Sequence, residues 1–75
     1  MTVEKIIQLC GGEHEIAGRL KLSGIDVVRR WITHAIPLRH WPVLIAMAAE
    51  RKERLTGEQL WQAVRPVLDA ASQES

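Results

Sequence analysis

Apolar residues recur along this chain at intervals of three and four, and no run alternates apolar and polar residues as a half-buried strand would. That spacing, with Phe and Tyr absent, restricts the fold to all-α. Gly11-Gly12 and Pro37 divide the pattern, because paired glycines supply a left-handed helix end and proline cannot continue a helix. Five helices are predicted. Thr2 caps the first, whose buried face is Val3, Ile6, Ile7 and Cys10. The second starts near Glu13, places Glu13 and Glu15 at the positive end of its dipole, and buries Ile16, Ala17 and Leu20. Ser23 heads the third, with Asp26 as a shortened capping box and an inward stripe of Ile25, Val28, Trp31, Ile32 and Ala35. Pro37 ends that helix by about Ala35.

After a tight turn over residues 38–41, a fourth helix running to about Lys52 is apolar on most sides and is expected to be the central one. Pro42 fits there only in the first turn. Thr56 and Gln59 form a T-x-x-Q capping box for a fifth helix carrying Leu60, Val64 and Leu68, which Pro66 should break or kink, and residues 71–75 should fray.

At 75 residues the chain suits one small domain. Its single cysteine allows no intrachain disulfide, and Cys10, within an apolar helical pattern, reads as a buried thiol in a reducing compartment. The mostly apolar run HWPVLIAMAA is far shorter than the roughly twenty residues that span a bilayer, and MTVEK carries an acid and no apolar signal region. The expectation is a soluble, unprocessed, cytoplasmic protein. His14, His34 and His40 lack the i, i+4 spacing of a helical metal pair, so neither metal nor other cofactor is expected. With no nucleophile-base spacing and no phosphate-cradling loop, the chain is not expected to be an enzyme. The ERKER run alternates sign and reads as a solvated helix end.

The net charge of +1 conceals a segregation. Residues 1–15 carry −2 and residues 41–75 carry −1, whereas Arg19, Lys21, Arg29, Arg30 and Arg39 against Asp26 alone give residues 16–40 a charge of +4. A basic third of the chain suits a polyanion or, equally, an ordinary solvated surface. The order of elements narrows the choice. A small Ala17 for close helix approach, Leu22 in the turn, and Val28 and Trp31 inward are the pattern of a helix-turn-helix, whose second helix enters the major groove.

The stretch W-(x)4-IP-x-RHWP-x-LI from Trp31 to Ile45, with GG-(x)4-A from Gly11 to Ala17 and the closing LTGEQL, resembles the Cro-like, YdaS-type regulators of phages and prophages with an Ile-Pro signature. The resemblance implies a five-helix bundle of the lambda-repressor-like DNA-binding class. It further implies a transcriptional regulator, most often a repressor, acting as a homodimer on a palindromic operator and so associated with the nucleoid. Two departures accompany it: Lys21 stands where a glycine is usual, and the turn is one residue longer, with Gly24 placed to absorb the change.

Aligned on Val28 and Trp31, the base-reading positions are Asp26, Arg29, Arg30 and Thr33, with Gly24 and Val27 beside them; Asp26 also suits a capping role. Arg19, Lys21, Ser23, His34, Arg39 and His40 are the phosphate candidates. Trp31 and Trp41 fall on buried stripes, whereas Trp61 lies beside its helix's stripe. The C-terminal segment has more apolar positions than one stripe can bury, so Trp61, Val64, Val67 and Leu68 are the expected dimer contact. A rival reading is a helix-turn-helix scaffold used as a protein-binding adaptor or antitoxin-like module.

Overall fold

The computed structural model describes residues 1–73, and the side chains of residues 1–70. Within them the chain forms α1 (Val3–Leu9), α2 (Glu13–Arg19), α3 (Ile25–His34), α4 (Trp41–Glu50) and α5 (Gly57–Gln73), with a turn of 3-10 helix, Leu38–His40, leading into α4. There is no strand among the described residues. No helix among them is long and apolar enough to cross a membrane.

Each helix contributes at least one wholly buried side chain to a shared core: Ile6 and Cys10 at the end of α1, Ile16 from α2, Val28 from α3, Leu44 from α4 and Leu60 from α5. The Cys10 thiol donates to the Leu44 carbonyl at 3.3 Å, and burial pushes its pKa up to about 11. It is an inert core residue. The helix at the centre is α3, which packs on α1, α2 and α5. The expectation that α4 would occupy that place is corrected. Only Leu44, Met47 and Ala48 of α4 are buried, while Pro42, Ala46 and Ala49 face solvent, because alanines cost little to expose and the helix is covered on one side.

The helix ends follow local chemistry. Lys5 N–H donates to Thr2 Oγ1 at 3.2 Å, and at α5 the capping box closes in both directions, Thr56 N–H to Gln59 Oε1 at 3.0 Å and Gln59 N–H to Thr56 Oγ1 at 3.2 Å. Three helices terminate in one hydrogen-bonding scheme, in which two amides beyond the helix turn back to its last carbonyls. After α1, Gly12 bonds Ile7 and Gly11 bonds Gln8; after α2, Leu22 bonds Ala17 and Lys21 bonds Gly18; after α4, Glu53 bonds Ala48 and Lys52 bonds Ala49. The residue at the bend must be left-handed, and Gly11 (φ 103°), Lys21 (φ 56°) and Lys52 (φ 59°) all are. Lys21 therefore makes the bend that a glycine would make more easily, and Gly24, extended at φ 177°, does not absorb it. Because Lys52 is used this way, α4 stops at Glu50, two residues short of expectation.

Other expectations are corrected as well. The N-cap of α3 is Gly24, not Ser23, and no side chain caps that end, so neither Ser23 nor Asp26 has the capping role. Leu20 is only half-buried. Ile32 is exposed at 38%, at an edge between α1 and α5 where neither helix covers it. Trp41 is half-buried, with its indole N–H donating to the Ile36 carbonyl at 3.1 Å. Pro66 does not break α5: it lies on the exposed side, as does Gln62, whose carbonyl loses the proline's missing donor, so water can replace the bond. Leu68 is not a core member but 43% exposed. The expected fraying falls on residues 71–75, of which 71–73 belong to α5 and 74–75 lie outside the described residues.

Candidate nucleic-acid interface

Helix α3 is sharply two-sided. Val28 and Trp31 hold it to the core at 0% and 3% exposure, while Asp26, Arg29, Arg30 and Thr33 all face solvent, with Gly24 and Val27 half-buried at the margin. The stripe spacing accounts for this, since positions 26, 29, 30 and 33 share the face opposite 28 and 31.

Two of the five bases of the basic segment are already paired. Arg29 donates through Nε to Glu13 Oε2 at 2.9 Å and through Nη2 to Glu13 Oε1 at 2.8 Å. Arg19 donates through Nη1 and Nη2 to the Glu50 carboxylate at 2.7 and 2.8 Å. These charge-assisted hydrogen bonds hold both carboxyls below the ordinary glutamate range and raise both guanidinium groups. Lys21, Arg30 and Arg39 are exposed and form no ion pair among the described residues. The positive face is thus narrower than the +4 of residues 16–40 implies, with Lys21, Arg30 and Arg39 as its uncompensated charges.

Thr33 has internal partners. Its hydroxyl lies 3.2 Å from the Arg30 carbonyl, to which it can donate, and 2.8 Å from His34 Nδ1. His40 packs against Trp31. Its ring sits 5.7 Å from that of Trp31, tilted by 33°, and burial, then the neighbouring Arg39 charge, lowers its pKa. Ser23 is exposed.

A second feature lies at the C-terminal end of α3. His34, Ala35, Ile36, Pro37, Leu38 and Trp41 face Trp61, Val64 and Leu68 of α5 across an apolar groove of about 540 Å³. Leu38 is 70% exposed and Trp61 49%. Of the four residues expected at a dimer contact, Trp61 and Leu68 are at the surface, Val67 packs partly against the core, and Val64, 2% exposed, is a core residue that closes the groove floor. Val64 is expected both on the α5 stripe and at the dimer contact, and its burial puts it on the stripe.

Sequence reasoning missed Glu13 and Glu50, which modify the basic face, and Leu38, which forms the groove rim. The ion pairs join residues 16 and 31 positions apart, and no local spacing signals them. Among the described residues, no three His, Cys, Asp or Glu side chains gather closely enough to hold a metal ion. No family model, curated protein or solved structure matches the chain.

Proposed function

We propose that α2, the turn over residues 20–24 and α3 constitute a helix-turn-helix of the lambda-repressor-like kind. On this reading the chain is a sequence-specific double-stranded-DNA-binding regulator of transcription, a Cro-like repressor acting as a homodimer on a palindromic operator. One observation carries the proposal: α3 is anchored by Val28 and Trp31 and turns Asp26, Arg29, Arg30 and Thr33 outward, so a single helix unites a rigid seat with side chains suited to base edges. Lys21 and Arg39, unpaired among the described residues and just outside α3, supply phosphate contacts.

One recognition helix carries too few base contacts for typical specific affinity, whereas two spaced by about 34 Å read adjacent half-sites. The apolar groove is the surface through which two copies pair. It includes His34 at the end of α3, so pairing there fixes the spacing of the two recognition helices.

Selection of bound duplexes from a random pool, followed by titration of the winner at several salt concentrations, tests the proposal. Two phosphate contacts, Lys21 and Arg39, from each of two copies give a slope of log affinity against log salt of about −4. A slope near zero, or no enriched sequence, removes the DNA reading. The groove also favours a second reading, a protein-binding adaptor, and salt-insensitive capture of a protein with no DNA enrichment would select it.

A further inference from the structure

The two bidentate ion pairs of the basic segment use different edges of the guanidinium. This difference assigns a role to Glu13. A guanidinium has a side edge, formed by Nε–H and one Nη2–H, and an end edge, formed by one N–H from each terminal nitrogen. Arg19 spends its end edge on Glu50, through Nη1 and Nη2. Arg29 spends its side edge on Glu13, through Nε and Nη2, which leaves its end edge open. Two parallel N–H bonds on that edge match the O6 and N7 acceptors of guanine.

The exposures agree with the direction of support. In the Arg29–Glu13 pair the arginine side chain is 59% exposed and the glutamate 28%, so the carboxylate lies behind and the guanidinium in front. In the Arg19–Glu50 pair the two are 45% and 54% exposed, with no such order. Glu13 is the first residue of α2, and Arg29 lies on the outward face of α3, so the support comes from the neighbouring helix.

We propose that Glu13 is a positioning residue that presets Arg29 as a guanine-reading fork, whereas Glu50 withdraws Arg19 from base reading. This rests on the DNA-binding reading above. A long arginine side chain held before encounter loses less freedom when it binds, which sharpens discrimination at one base pair. The cost of Glu13 is one negative charge near the polyanion, which weakens binding to every sequence alike. Removing the carboxylate should therefore separate specificity from general affinity.

The test uses the full chain. The preferred duplex is selected first, and Arg29→Ala identifies the base pair whose discrimination depends on Arg29, expected to contain guanine. Glu13→Gln should then lose about tenfold in discrimination at that base pair and none elsewhere, while affinity for random duplex holds or rises. Arg19→Ala should relax no base position. Thermal melting checks that all three variants remain folded. Unchanged or sharper discrimination in Glu13→Gln overturns the proposal, as does an Arg29-dependent base pair without guanine. A parent chain that enriches no sequence overturns the DNA reading and this inference together, whereas a parent that enriches one, with Arg29→Ala indifferent, overturns this inference alone.

Discussion

The imidazole of His40 lies against the indole of Trp31, ring centroids 5.7 Å apart, so the turn that follows α3 is held to the same side chain that anchors α3 in the core. Burial makes the charged ring less favourable there than in the unfolded chain, where its pKa is 6.5. A lowered folded pKa means that this contribution to stability is fully present above 6.5 and is lost as pH falls through the folded value. An NMR titration of the His40 ring should give a midpoint below 6.5, and the melting temperature should decline on acidification from neutrality. A midpoint at or above 6.5 would show that the ring is not desolvated.

Trp31 is the largest side chain in the core contributed by α3, at 3% exposure. Trp31→Ala should cost about 3–5 kcal/mol, enough to unfold much of a domain this small. Urea denaturation followed by circular dichroism measures it. A loss below about 1 kcal/mol would place the indole outside the load of the core.

Lys21→Gly should stabilise the fold by about 1 kcal/mol, since glycine accepts the left-handed bend that costs a lysine that much or more, and the exposed lysine side chain has no ion pair to lose among the described residues. Ala35 at φ 71°, ψ 157° is more strained still, but its methyl group is buried, so Ala35→Gly should gain less. Thermal denaturation of both variants beside the parent decides the order; a destabilised Lys21→Gly would contradict the geometry of the bend.

Arg30 is exposed on α3 and unpaired among the described residues, so on the proposed function its loss acts on binding alone. Arg30→Ala should cost about 1–3 kcal/mol on the preferred site and relax one base position, with the melt unchanged. Neutralising Arg39 should instead weaken all sequences equally and reduce the salt slope by about one. Competition with single-base variants of the site separates the two outcomes.

Trp61 stands half-exposed on the groove. If two copies pair through the groove as proposed, Trp61→Glu should leave the monomer folded and shift sedimentation from dimer to monomer, because a carboxylate cannot be buried against an apolar copy without large cost. Identical sedimentation of parent and variant would move the interface elsewhere.

What could be read beforehand was local. The Thr2 cap, the Thr56–Gln59 box, the glycine bend at Gly11 and the stop at Pro37 depend on residues within four or five positions, and the burial of Val28 and Trp31 follows from helical period. What failed depended on neighbours distant in the chain. Ile32 has the right period but no helix over it; Pro66 survives within α5 because its missing bond faces water; Arg29 and Arg19 meet carboxylates that only the packing of α2, α3 and α4 brings near. The Ser23 cap failed for a smaller reason: a left-handed Lys21 moved the turn, and α3 starts one residue late.

That Ile6, Ile16, Val28, Leu44 and Leu60, one from each helix, are all wholly enclosed in one cluster has a consequence for how the molecule comes apart. No helix can leave without opening the cavity that the other four line, so there is no subset of elements able to persist alone. The chain should melt as one cooperative unit, with its slowest amide hydrogens in all five helices exchanging through the same global opening. A protein built this way has no spare part: it tolerates trimming or insertion at its turns and nowhere between them.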